Sequence, residues 1–144
     1  MVLGNIKHLG MEQIYYGFII KKVWLFLHLN NNIMNEVTVT IIDREGISHN
    51  LLAPTDMNMN IMEVCKSYDL PVLGECGGMA MCATCQCYLE SDTILPEQND
   101  SELDMLDQAF FVKPNSRLGC QIHISEEIDG IVLRLAPEAW KTIL

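Results

Sequence analysis

The sequence predicts an α+β fold in which one core lies between a mixed sheet and a helix packed across it. Three observations predict it. From Met34 onward, segments of strand and helix periodicity follow one another in the order ββαβαββ. The length, 144 residues, is that of one domain. Apolar residues make up 49% of the chain, enough for a core, which excludes global disorder.

Val37 to Asp43 alternates β-branched residues and reads as a first strand. Arg44-Glu45-Gly46 is a turn, and Ile47 to Ala53 returns as the second strand of a hairpin. Thr55 and Asp56 are candidate N-caps for a helix. Its buried face would be Met57, Ile61, Val64, Cys65 and Tyr68, and Pro71 would end it. From Leu73 to Cys85 no period holds, so a loop is expected. Gln86 to Glu90 is a short strand. Ser101 to Phe111 is a second helix, entered through Ser101-x-x-Asp104 as a capping-box variant. Arg117 to Ile124 alternates Leu118, Cys120, Ile122 and Ile124 as a strand with one buried face, and Ile131 to Leu135 closes the series.

With 9 Lys+Arg against 19 Asp+Glu, the chain carries about −10. That balance argues against nucleic acid and anionic membrane surfaces as partners and favours a basic protein surface. The charge is uneven. Residues 1–33 hold Lys7, Lys21 and Lys22 against Glu12, whereas residues 34–144 hold 6 bases and 18 acids, a net −12. No stretch reaches the roughly 18 apolar residues of a membrane span. The segment from Gly17 to Leu29 fits neither a secretory signal nor an Arg-rich, Ser-rich presequence, and Asn30-Asn31-Asn32 is no cleavage site. Residues 1–33 are expected to be an N-terminal extension, either poorly structured or lying upstream of a natural start at Met34, which the intact mass of the native protein tests. Residues 34–144 form the domain.

The cysteines carry the chemistry. Four have the spacing Cys76-x5-Cys82-x2-Cys85-x34-Cys120. Three thiols within ten residues all face one object only if a loop wraps it. Iron–sulfur clusters are held by such runs; the plant-type pattern differs by one residue in its first gap. Gly77, Gly78 and Ala80 let the backbone approach inorganic sulfide, and a tight loop through Met79 and Met81 aims N–H groups inward. Such donors stabilise a negative cluster, more so when it is reduced. Ala83 and Thr84 are small enough to keep the loop near the surface. Spacing favours this reading. It leaves open a structural zinc site in an interaction module, and a thiol redox centre that would use only Cys82-x2-Cys85.

The linked motifs Cys76-Gly-Gly-x3-Cys82-Ala-Thr-Cys85, Asp104-Met-Leu-Asp107 and Ser116-Arg-Leu-Gly-Cys120-Gln, with a terminal strand ending at Pro137, resemble the 2Fe-2S ferredoxins of the adrenodoxin and putidaredoxin type, and short bacterial members above all. The resemblance covers about Glu36 to Pro137. It implies a β-grasp (ubiquitin-like) fold and one 2Fe-2S cluster on Cys76, Cys82, Cys85 and Cys120. It also implies one-electron transfer from an NAD(P)H-dependent ferredoxin reductase to an acceptor, with no substrate of the protein's own. The acceptor would be cluster-assembly machinery or a haem-thiolate monooxygenase. The second helix would dock basic partners through Asp100, Glu102, Asp104 and Asp107. A monomer in the bacterial cytoplasm is expected, with the mitochondrial matrix as second choice.

Some positions depart from the family or lie outside its pattern. Gln86 stands where members commonly carry His; its amide donates but does not titrate near neutral pH. Cys87 is read as a small buried hydrophobe, with an accessory thiol near the cluster as the sharper alternative. Cys65 reads as core. Trp140 reads as a packing anchor, with acceptor contact as its alternative. His49 and His123 read as structural or exposed, and Arg117 as a tie between the second helix and the fourth strand.

Overall fold

The computed structural model describes residues 19–23 and 35–139. The chain divides into two units after Met34. In the first, residues 19–23 are helical, with Ile19, Ile20 and Val23 exposed. The other positions of the expected extension lie outside the described residues, as does Trp140.

Among its described residues the second unit holds five strands, β1 (Glu36–Ile42), β2 (Ser48–Pro54), β3 (Gln86–Leu89), β4 (Ser116–Leu118) and β5 (Ile131–Leu135), and two α-helices, α1 (Ile61–Ser67) and α2 (Asp100–Gln108). The sheet order is β2-β1-β5-β3-β4. Only β1 and β5 run parallel; the other neighbours are antiparallel, so the sheet is mixed as expected. Alternation decides the faces. Val37, Val39 and Ile41 of β1, Leu51 and Ala53 of β2, and Ile131, Leu133 and Leu135 of β5 are buried in one cluster with Ile61, Met62, Val64 and Cys65 of α1. At the hairpin turn, Gly46 takes φ +87°, and the Asp43 carboxylate accepts from the N–H groups of Glu45 and Ile47 and pairs with His49 Nε2 at 2.8 Å.

Four expectations need correction. First, α1 starts at Ile61, capped by Asn60 rather than by Thr55 or Asp56. Asn60 Oδ1 accepts from Glu63 N at 3.0 Å, and Glu63 Oε2 accepts from Asn60 N at 2.9 Å, a complete capping box. Met57, outside the helix, is 66% exposed, and Tyr68 leaves the core to hydrogen-bond Leu52 N and Leu52 O on the edge strand. Second, α2 is capped by Asn99, whose Oδ1 accepts from Glu102 N at 2.8 Å, and it ends before Phe110. Leu103 and Phe110 are exposed, and Leu106 is the buried apolar residue of the helix. Third, the strand expected over Arg117 to Ile124 breaks after Leu118 into a 3-10 turn, Gly119–Gln121. Leu118, Cys120, Ile122 and Ile124 stay buried, so the alternation reports burial without a continuous ladder.

Fourth, Glu102 does not belong to the exposed acidic set. It is 1% exposed, and its carboxylate accepts from Arg117 Nε at 2.9 Å, Arg117 Nη2 at 3.1 Å and Leu118 N at 2.8 Å. A buried carboxylate persists only with such partners. Arg117 also donates to Pro96 O at 3.0 Å, and its pairing with Glu102 ties α2 to β4, the role expected of it.

Candidate metal centre

The loop between α1 and β3 has no regular element, and its path depends on left-handed residues: Gly74, Gly77, Gly78, Ala80 and Ala83 all have φ between +50° and +97°. For the two alanines, such a backbone costs roughly 1–2 kcal/mol each, so the turns they make need compensation. Gly74 is constrained twice. Its φ is +55°, and a Cβ there would lie 2.2 Å from Met62 Sδ on α1. Gly77 has no protein atom near a built Cβ, so what the chain itself demands there is the positive φ.

This path brings the four cysteines into two pairs. The Cys76 and Cys82 thiols adjoin each other and are half-buried. The Cys85 and Cys120 thiols adjoin each other and are buried. Within the second pair, Gly119 N donates to Cys85 O at 2.9 Å and holds the segment before Cys120 against the end of the loop. Burial pulls the Cys76 thiol up, but the N–H of Met81, the Cys82 thiol and the N–H groups of Gly78 and Met79 outweigh it, leaving Cys76 below the ordinary thiol value. The neighbouring Cys85 thiol pulls Cys120 down against its burial, helped by the Gln121 amide and Ala80 N–H; Cys85 is pushed up by the neighbouring Cys120 thiol and by burial. Thr84 Oγ1 lies 2.9 Å from Cys82 Sγ and accepts from Glu75 N at 3.1 Å, tying the loop's entry to its last turn.

This arrangement fits a two-iron cluster. The donors are all sulfur, they stand as two pairs, and backbone N–H groups face the sulfurs, as a negative centre needs. Among the described residues, no three His, Cys, Asp or Glu side chains converge to hold a single metal ion. Cys76, Cys82, Cys85 and Cys120 are the residues that would hold the cluster.

The remaining cysteines have other surroundings. Cys87 is 1% exposed and its thiol donates to Arg117 O at 3.6 Å, which favours the small-hydrophobe reading over the accessory thiol. Cys65 is core, and burial pushes its thiol up to about 12. Gln86 is buried; its amide reaches Phe111 O and Ser116 Oγ, both at 3.4 Å, away from the sulfurs. His49 pairs with Asp43, and His123 is exposed. Asp100, Asp104 and Asp107 are exposed on α2, while Met79 and Met81 stand 65% and 69% exposed on the loop.

Sequence reasoning missed two residues. Arg44 joins the hairpin turn to Ala136 O at 2.8 Å, to Pro71 O and to Glu138 at 3.0 Å. Gln121 donates to Gly78 O and to Cys120 Sγ. Its place after a candidate ligand was the available signal.

Sheet and thiol loop together define a class, the small iron–sulfur electron carriers. Residues 46–125, more than half the chain, match the model of the 2Fe-2S iron-sulfur cluster binding domain. A 2Fe-2S ferredoxin of Rickettsia montanensis is 41% identical over 110 residues, 75% of this chain and 96% of that protein. The mitochondrial adrenodoxin homolog of Saccharomyces cerevisiae is 43% identical over 77 residues, 52% of this chain and 45% of that one. Putidaredoxin of Pseudomonas putida in its reduced form superposes with TM-score 0.65 at 34% identity, covering 72% of this chain and 99% of that one. In a covalent complex with putidaredoxin reductase it superposes at 0.61, with 35% identity over 70% and 99%. The chain belongs to the 2Fe-2S ferredoxins of the adrenodoxin and putidaredoxin type. Its fold is the β-grasp, its cofactor is one 2Fe-2S cluster, and it carries electrons rather than turning over a substrate.

Proposed function

We propose that residues 34–144 are a monomeric ferredoxin domain in which Cys76, Cys82, Cys85 and Cys120 hold the cluster. The observation that carries this is the pairing of four thiols under inward-facing N–H groups, with no disulfide among the six cysteines. We propose further that electrons come from an NAD(P)H-dependent reductase and leave to an acceptor with a basic face. Docking would use Asp100, Asp104 and Asp107, with the exposed Met79 and Met81 beside the half-buried pair. The putidaredoxin–reductase complex supports the reductase as a partner. Net charge supports a basic face, because steering speeds encounter and still permits quick release.

The acceptor is proposed to be cluster-assembly machinery, with a haem-thiolate monooxygenase as the competing outcome. A bacterial cytoplasm is proposed from the Rickettsia relative, with the mitochondrial matrix second from the yeast one. Visible spectra of the purified protein test the core of this reading. A red-brown protein whose bands bleach on dithionite supports it, and a colourless zinc protein overturns it. Reduction by candidate reductases, then reoxidation by each acceptor class, decides the partners.

A further inference from the structure

The cap of α2 is connected to the candidate cluster site. Asn99 Oδ1 accepts from Glu102 N, so its amide orientation is dictated by the helix. Its Nδ2 is left to donate to Gln121 Oε1 at 2.9 Å. That in turn fixes the Gln121 amide, whose Nε2 donates to Gly78 O at 3.1 Å and to Cys120 Sγ at 3.4 Å. Each amide has one oxygen and one nitrogen, so the helix cap sets the polarity of the whole series and points an N–H at the sulfur. Asn99 is exposed beside Asp100, and Gln121 is half-buried.

We infer that Gln121 is a positioning residue that couples the N-terminal end of α2 to the Cys120 sulfur through Asn99. The inference rests on the reading of Cys120 as a cluster ligand. A donor to a ligand sulfur favours the more negative, reduced state. A partner that covers the start of α2 excludes the water competing for the Asn99–Gln121 bond and strengthens that donor. Docking on the acidic helix then favours reduction, and reciprocally the reduced carrier binds that partner more tightly.

The test uses the full-length holoprotein with its midpoint potential and the EPR signal of the reduced state as readouts. Gln121→Ala removes the donor and is expected to make reduction about tenfold less favourable, a fall of about 59 mV for one electron. Asn99→Ser keeps an N-cap but is too short to reach Gln121. It is expected to shift the equilibrium about two- to threefold in the same direction, with an unchanged unfolding temperature. A coloured Gln121→Ala protein with the wild-type potential overturns the inference. So does an Asn99→Ser protein with the wild-type potential, and this variant decides alone if Gln121→Ala fails to load its cluster. A colourless wild-type protein would instead overturn the assignment of the cluster.

Discussion

In the sheet, polar backbone groups answer one another: β5 lies between β1 and β3, and the apolar faces of β1, β2 and β5 close against α1. Between Leu73 and Cys85 no ladder forms. There the N–H groups of Gly78, Met79 and Met81 turn to Cys76, and that of Ala80 turns to Cys120. The two regions differ in what compensates for ordering the chain. Burial suffices for the sheet, whereas the loop carries two alanines in left-handed conformation and needs thiolate charge at its centre. Order in the loop is therefore expected to follow cluster occupancy, and order in the sheet is not.

Removing iron with a chelator is the largest perturbation of that contrast. Amide exchange over residues 73–85 is expected to rise by orders of magnitude, while β1 and β5 keep their protection. Equal loss in both regions would break the comparison. Serine at Cys76, Cys82, Cys85 or Cys120 is expected to abolish a stable visible spectrum, whereas alanine at Cys65 or Cys87 preserves it. Native alkylation sharpens this, because burial raises both spare thiols and leaves them unlabelled.

Next comes the bridge between the regions. Glu102→Ala strands Arg117 in a buried site and is expected to cost about 3–5 kcal/mol in denaturant unfolding. The cluster absorbance should survive in the folded fraction. A loss below about 1 kcal/mol would mean that the pair is dispensable.

Smaller still is the effect of Asp104→Asn with Asp107→Asn. Reductase-driven reduction at low salt is expected to slow severalfold, with the difference vanishing at high salt and the spectrum unchanged. Identical rates across the salt series would remove α2 from docking.

The least effect belongs to the hairpin turn. The Asp43 carboxyl is held below its ordinary value of 3.8, first by His49 and then by Ile47 N–H. A depressed carboxyl stabilises the fold above that ordinary value and loses its contribution as pH falls through the folded value. Asp43→Asn should therefore flatten the stability profile below about pH 4 and leave the cluster spectrum untouched. An unchanged profile would show the turn is held without it.

How much of this was legible depends on range. β1 reads directly because its β-branched alternation is local, β5 because it is a short, largely apolar run, and the candidate ligand loop because its thiols are close in sequence. The start of α1 did not. Thr55, Asp56 and Asn60 are all good caps, and only Asn60 has its reciprocal Glu63. Helical geometry already set Glu102 about 200° around from Asp100, yet an acidic neighbourhood concealed its burial until Arg117 was seen beside it. Of the Asn99–Gln121–Cys120 series only the place of Gln121 beside Cys120 could be read, because the bond to Asn99 spans |i−j| of 22 and the one to Gly78 spans 43. No periodicity encodes contacts of that kind.

The place of β5 in the middle of the sheet has a consequence for biosynthesis. β1 finds its parallel neighbour only in residues 131–135, the last strand in chain order. Until Leu135 clears the ribosomal tunnel, the nascent chain can hold a β1–β2 hairpin and α1 but no closed sheet, and β3 has no inner partner. Long-range closure of this kind is slow, and chains awaiting it expose strand edges. Because Cys76, Cys82, Cys85 and Cys120 all precede that final strand, the candidate ligands emerge before the sheet can close.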